Sequence, residues 1–253
     1  MNFVQTLTAV EKSRALSCAI RFLLAAILSG SQIFGAYAPF GLGFVAAAGA
    51  GMEGLSALLG LLVGALLMMP FTAAIKYIAA AILIFSVSVA FFDTKLYRKH
   101  AFLPLITAAC TAVVGFVYLM PQGVFNTDGA YFLLEIFLAG GCAVCYRMAL
   151  AIQIDAPETL ERQQLFALFV LAISLLIAVA AIPLAGRFSL GRIFSIVLVL
   201  AAGRLGGMGL GCAAGLCAGL SMDAVSCTLY FSMALGYFIG HAAARLLKVR
   251  RDR

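Results

Sequence analysis

Charge is scarce in this sequence: only 11% of its 253 residues are charged, whereas 64% are hydrophobic. An ordinary soluble domain contains about 25% charged and about 45–50% apolar residues. Stretches such as residues 15–27 and 164–185 are apolar on every side of a helix, so lipid or other helices must surround them. The composition therefore excludes a soluble globular domain as the main part of the chain.

Segments of about ten residues with alternating polarity are also missing, which argues against a transmembrane β-barrel. Helices are then the remaining way to satisfy the backbone in lipid. Since a spanning helix needs about 20 apolar residues, we predict an all-α integral membrane protein, a polytopic helical bundle of about ten segments. We expect a cytoplasmic N-terminal tail at residues 1–14, a transmembrane domain at 15–247 and a basic cytoplasmic end at 248–253.

The segment boundaries are predicted from proline, glycine clusters and charges. The resulting segments are residues 15–37, 39–51, 54–69, 71–92, 101–120, 129–148, 164–185, 190–203, 206–222 and 224–247. Three of them, 39–51, 54–69 and 190–203, are short for a span, so we expect them to be re-entrant or to depend on neighbouring helices. The span count stays open around these short segments.

The formal net charge of +7 comes from basic residues that lie at segment ends. This distribution favours membrane lipids over nucleic acid as the partner. Lys12 and Arg14 predict a cytoplasmic N-terminus, and a second cytoplasmic loop is predicted from Lys95, Arg98 and Lys99. Residues 121–128 contain no Lys or Arg and are predicted to lie outside. We thus expect a multi-pass protein of the bacterial cytoplasmic membrane with both termini cytoplasmic.

Glycines spaced by four form small-residue stripes on three predicted helices, where they allow another helix to approach closely. These candidate packing residues are Gly60 and Gly64, then Gly207, Gly211, Gly215 and Gly219, and finally Gly236 and Gly240. Packing within the chain is the preferred interpretation. Self-association through the same stripes is the alternative.

Glu135 and Lys76 are candidate buried polar residues within apolar segments. Ionisable groups in a membrane are energetically expensive and usually face a partner, water or a substrate. The alternative interpretation is that Lys76 extends from near a helix end to the membrane surface, while Glu53 and Asp223 are solvated at connections. That alternative is preferred for those three residues, and both interpretations stay open for Glu135.

Catalytic motifs are lacking as well. The chain has only two histidines and no HExxH, GxSxG or clustered carboxylates. Cys142-x-x-Cys145 has redox or metal spacing, but no second pair accompanies it, so buried structural thiols are the preferred interpretation. We therefore predict no catalytic, metal or cofactor-binding residue and no enzymatic activity for the chain as given.

Several local patterns resemble the N-terminal membrane region of stage II sporulation protein E, found in endospore-forming bacteria. They are Ala38-Pro39-Phe40-Gly41 with the small residues up to Ala50, residues 58–66, Ile75-Lys76-Tyr77-Ile78, and the glycine-rich residues 198–219. They occur in the same order as in that family and extend from the first hinge to the ninth segment.

The resemblance implies a ten-span anchor that positions a cytoplasmic PP2C-like serine/threonine phosphatase at the sporulation septum for sigma-factor activation. Division-septum proteins are the partners it implies. The Asp-rich metal site of such a phosphatase has no counterpart up to Arg253, so no catalytic residue is carried over. The sequence is then either a membrane portion of a longer protein or a stand-alone relative, and both stay open.

The leading hypothesis is a membrane-anchoring, localisation and assembly module. The alternative is a small permease or a substrate-binding membrane subunit of a transporter. Glu135, Lys76 and the interrupted short segments motivate this alternative, because such features mark midplane sites in transporters. An intramembrane enzyme is a weaker third class, and no transported ligand follows from the residues.

Overall fold

The computed structural model describes residues 3–97, 99, 101–120, 128–151, 162–180, 183–184 and 188–225. This part is almost entirely helical, with one antiparallel pair of two-residue strands. The elements in chain order are α1 (Phe3–Ser29), α2 (Pro39–Ala48), α3 (Met52–Met68), α4 (Phe71–Ala90), α5 (Phe102–Leu119), α6 (Asp128–Leu150), α7 (Arg162–Ala180), β1 (Pro183–Leu184), β2 (Phe188–Ser189) and α8 (Leu190–Val225). The predicted all-α class is confirmed at this level.

Four of the described helices, α4 to α7, are long and apolar enough to cross a membrane. Their outward faces carry large apolar side chains: Leu105 is 70% exposed, Val117 is 66% exposed and Phe137 is 74% exposed. Contiguous apolar surface of this kind marks contact with lipid or with another protein. A helical membrane bundle therefore accounts for both the helix lengths and the apolar exterior.

The chain forms two compact units. The first comprises Met1–Gly30 and Tyr37–Leu171, and the second comprises Ser31–Ala36 and Ala172–Arg253. In the first unit α1 packs on α3, α5 packs on α6, and α2 contacts α1, α3, α4, α5 and α6. The short helix α2 is therefore the centre of the first unit.

Helix α2 has only ten residues, so it is about 15 Å long, half of a membrane core. Its residues from Pro39 to Ala46 are all buried. Gly41 lies against the Ser29 backbone, where an added Cβ would be 3.2 Å from Cα, and Gly43 lies against α6. The expectation that this short segment depends on its neighbours agrees with this enclosure.

In the second unit, Phe34 N–H donates to the Ala224 carbonyl at 3.0 Å, which ties residues 31–36 to the end of α8. Gly191 approaches the backbone of Ala180 closely, so that an added Cβ would lie 2.5 Å from Ala180 Cα. The start of α8 therefore lies directly against the end of α7.

The prediction of separate segments at 190–203 and 206–222 is wrong: these residues form one continuous helix of 36 residues, α8. The glycines between them lower helix propensity by about 1 kcal/mol each but keep the backbone hydrogen bonds that a proline would remove. No proline occurs between Leu190 and Val225, so the helix continues. The last predicted segment, 224–247, lies outside the described residues apart from its first two positions.

Candidate functional site

A buried ion pair joins α4 to α6 in the first unit. Lys76 Nζ lies 2.7 Å from Glu135 Oε2, and the two side chains are 7% and 0% exposed. Lys76 is the sixth residue of α4, and Glu135 lies in the first half of α6. The pair therefore connects the halves of α4 and α6 that lie beside the N-terminal end of α2.

Tyr77 links this ion pair to the start of α2. Its hydroxyl donates to Glu135 Oε1 at 2.5 Å and accepts the backbone N–H of Ala38 at 2.9 Å. Ala38 is the residue before α2, and no side chain of its own caps that helix. Since the first N–H groups of a helix have no partner within the helix, Tyr77 satisfies one of them. One hydroxyl thus couples α2, α4 and α6.

Aromatic rings surround the Lys76 ammonium. It lies 5.3 Å from the ring centroid of Tyr37, 4.9 Å from that of Tyr77 and 5.9 Å from that of Phe132. A cation within about 6 Å of a ring centroid is attracted by the ring quadrupole, most strongly where water is displaced. The rings and Glu135 together replace the water that a lysine would have at the surface.

The hydrogen bonds of this cluster converge on the Glu135 carboxyl group. Each oxygen of Glu135 has a partner, one the ammonium and the other a hydroxyl. A buried carboxylate without partners would cost several kcal/mol, and an ammonium across from it offsets that cost only with good geometry and further hydrogen bonds. The observed arrangement provides both, so it can hold three helices in one register.

The interpretation that Lys76 extends to the membrane surface is wrong, because the side chain is buried and paired with Glu135. Glu53 is not merely solvated: its Oε2 lies 2.6 Å from Arg21 Nη2, and Ser17 donates to its Oε1 at 2.9 Å. Asp223 is 3% exposed near the end of α8, so the solvated interpretation is wrong there too. Ion pairs with residues distant in sequence, invisible in a local window, decide the cases of Lys76 and Glu53.

The predicted glycine stripe on α3 lies against α1. A Cβ at Gly60 would overlap the Phe22 carbonyl oxygen, and one at Gly64 would overlap the Ala26 carbonyl oxygen. Increasing numbers on α3 meet increasing numbers on α1, so the two helices run parallel. The missing side chains let the backbones touch, as in other small-residue helix contacts.

The longer stripe lies on α8, where Gly211, Gly215 and Gly219 are buried and Leu216 is 47% exposed. Gly207 lies in the same helix. Gly236 and Gly240 lie outside the described residues.

The six cysteines among the described residues are free thiols, and of the CxxC pair Cys142 is buried.

Sequence reasoning did not place Tyr77, Tyr37 or Ala38 in the site, although Ala38 and Tyr77 belong to the patterns that carry the resemblance. One signal was present: Tyr77 follows Lys76 directly in an apolar segment, and a buried tyrosine hydroxyl usually needs a hydrogen-bond partner. Nothing local indicated that the partner would be the start of α2, 39 residues earlier.

Comparison of the chain with protein-family models, with curated proteins and with solved structures found no match.

Proposed function

We propose that the chain is a membrane-anchoring, localisation and assembly module similar to the membrane region of stage II sporulation protein E. The observation that carries this proposal is a contact between two of the sequence patterns on which the resemblance rests. Ala38 begins the first pattern and Tyr77 belongs to the other, and the Ala38 N–H donates to the Tyr77 hydroxyl at 2.9 Å. The two patterns therefore act together in holding the bundle.

The chemistry of the cluster supports a scaffold. Glu135 is 0% exposed and bonded at both oxygens, so its charge is used to fix helices. Buried polar groups of this kind have their best-attested use in specifying one register among several. A rigid anchor for a cytoplasmic domain needs that specificity.

The proposed module has about ten spans and both termini in the cytoplasm. The basic residues of the first unit support this orientation, since Arg14, Arg21 and Arg147 line a single cavity at one end. Lys and Arg are enriched on the cytoplasmic side of membrane proteins. Membrane lipids, other copies of the chain and division-septum proteins are the proposed partners, and nucleic acid is not among them.

The module as given has no turnover of its own in this proposal. Its role is to place a phosphatase domain at the sporulation septum, where the family activates a sigma factor. Purified chain should therefore leave a phosphoprotein unchanged in the presence of Mn²⁺ or Mg²⁺. Metal-dependent dephosphorylation by this chain would contradict the assignment.

The test of the anchor function is the position of a fluorescently tagged chain in sporulating cells of an endospore-forming bacterium. We expect a band at the asymmetric septum and uniform membrane fluorescence during vegetative growth. The matched control carries Gly141→Ala, a change at a helix position where an added Cβ meets nothing within 4 Å. Uniform fluorescence of a stably inserted chain in both stages would contradict the proposal.

A permease is the second candidate, favoured by one observation: an ionisable pair lies beside the start of a helix too short to span the membrane. Discontinuous helices and intramembrane charges mark ion and substrate sites in transporters. Proton flux into proteoliposomes under an imposed membrane potential separates the two functions. Flux that disappears in Glu135→Gln would replace the anchor proposal, and equal leak in both chains would remove the permease.

A further inference from the structure

A cavity of about 590 Å³ opens at one end of the first unit, and no residue of the Lys76 cluster lines it. It is formed by the middle of α1, the turn between α2 and α3, the residues after α4, and the end of α6. These parts of the chain carry basic residues from which the cytoplasmic side is predicted. The cavity therefore lies where membrane-surface chemistry is expected.

Three arginines and one glutamate line this cavity: Arg14, Arg21, Arg147 and Glu53. Arg21 is already engaged, since its Nη2 lies 2.6 Å from Glu53 Oε2 and its Nη1 donates to the Ala48 carbonyl at 3.2 Å. The single carboxylate is thus matched by one guanidinium. Arg14 and Arg147 remain as an excess of positive charge.

Arg147 provides the main evidence that a ligand binds in this cavity. Its Nη1 is buried and has no hydrogen-bond partner among the described residues. A guanidinium nitrogen removed from water without an acceptor is energetically costly, and such an atom requires an explanation. An acceptor bound in the cavity would supply the missing bond.

The remaining lining suits a compact anion with an apolar attachment. Gly49 has a φ of 84°, a left-handed conformation that suits glycine, and a Cβ there would lie 3.2 Å from the Tyr97 hydroxyl. The turn thereby keeps the cavity open beside a hydroxyl donor. Phe92 and Leu150 add apolar surface to the same wall.

We propose that this cavity binds a phosphate group through Arg14 and Arg147, with Tyr97 as a further donor. Guanidinium groups match phosphate oxygens in geometry and form charge-assisted hydrogen bonds to them. The phosphate belongs either to the headgroup of an anionic phospholipid or to a free phosphate. This site is independent of the proposed anchor function, and septal localisation does not bear on it.

The experiment measures the thermal stability of the purified chain in a neutral detergent at increasing ligand concentrations. A ligand that binds the native state raises the midpoint temperature of unfolding. Phosphatidylglycerol, phosphatidylcholine and inorganic phosphate are titrated separately. A rise with phosphatidylglycerol alone assigns the site to an anionic lipid headgroup. A rise with inorganic phosphate as well assigns it to a free phosphate. An unchanged midpoint temperature with both phosphatidylglycerol and inorganic phosphate would overturn the proposal.

The variants Arg147→Gln and Arg14→Gln should each weaken the apparent affinity about tenfold, as expected for loss of one charge-assisted hydrogen bond. The matched control is Lys95→Gln, an exposed cation outside the cavity lining that removes the same charge. Arg14 is exposed, so its replacement tests binding even where Arg147→Gln impairs folding. Equal affinities for Arg14→Gln and Lys95→Gln would show general attraction to basic surface and overturn the site.

Discussion

Lys76 and Glu135, 59 residues apart in sequence, form a buried ion pair in which Nζ lies 2.7 Å from Oε2. No other charged residue lies within four positions of either residue along its own helix. The pair is therefore a tertiary contact, and it depends on how α4 and α6 are placed around α2.

We predict that removing one partner of this pair destabilises the protein more than removing both. Lys76→Met or Glu135→Leu leaves an uncompensated buried charge, a change that costs about 3–5 kcal/mol for a broken buried pair. The double variant Lys76→Met with Glu135→Leu removes both charges. It should unfold at a higher temperature or denaturant concentration than Lys76→Met alone. Unfolding in detergent by heat or denaturant gives the midpoint of each variant and so ranks their stabilities.

The control for this series is Lys95→Met, an exposed lysine whose replacement should leave the midpoint unchanged. A double variant whose loss equals the sum of the two single losses would contradict the pairing, because interacting residues give non-additive effects.

Tyr77→Phe should cost less than breaking the ion pair but more than a surface change. The variant keeps the ring beside Lys76 and removes only the hydroxyl, leaving the Ala38 N–H and Glu135 Oε1 without that partner. Unsatisfied buried groups of this kind cost about 1–3 kcal/mol. Tyr118→Phe, at a half-buried position on α5, is the matched control. Equal unfolding midpoints for the two variants would show that the hydroxyl does not couple the helices.

The sequence predicted α2 to α6 well, but the prediction of a tail at 1–14 and a first segment at 15–37 is wrong, because α1 begins at Phe3 and ends at Ser29. The segment 101–120 corresponds to Phe102–Leu119, and 71–92 corresponds to Phe71–Ala90. These boundaries are local: a proline precedes α4, and charged or polar loops end the apolar runs. Hydrophobic length and helix-ending residues are sufficient for them.

The partners of the site could not be predicted, because they lie on different helices. Glu135 was expected only to face a partner, water or a substrate, and no spacing specifies which helices adjoin. The same limit explains the error at α8, where glycines indicated a break that only a proline or a change of environment would enforce.

Replacing glycine by alanine should lower the stability of the chain where α3 contacts α1 and raise it where the added methyl group meets no other atom. Gly60→Ala and Gly64→Ala place a methyl group against a backbone carbonyl oxygen of α1, so we expect a loss of about 1–3 kcal/mol each. At Gly141 an added Cβ meets nothing within 4 Å, and alanine there should stabilise α6 by up to about 1 kcal/mol. The unfolding midpoint of each variant in detergent shows whether stability falls or rises. A Gly60→Ala variant more stable than the original chain would disprove the contact.

Topology is tested by cysteine labelling in a background that lacks the native cysteines. Lys95→Cys precedes α5 and Gln122→Cys follows it, so the two should react from opposite sides of the membrane. We expect Gln122→Cys to be labelled in intact cells and Lys95→Cys only after permeabilisation. Labelling of both in intact cells would contradict the proposed orientation.

The last prediction concerns the buried glycines of α8. Gly211→Leu or Gly215→Leu inserts a branched side chain where the helix has none, and overpacking typically costs about 1–3 kcal/mol. Leu216→Ile, on the exposed side of the same helix, should be mild, so position rather than hydrophobicity decides the result. Thermal stability in detergent and membrane clustering of a tagged chain are measured together.

The two measurements distinguish what the α8 stripe contacts. Loss of stability would place a packing partner within the chain, since a single molecule in detergent then depends on the glycines. Loss of clustering with unchanged stability would instead assign the stripe to self-association. If both glycine variants match Leu216→Ile in both measurements, the spacing of these glycines has no role in packing, because a side chain of that size cannot enter a close helix contact without effect.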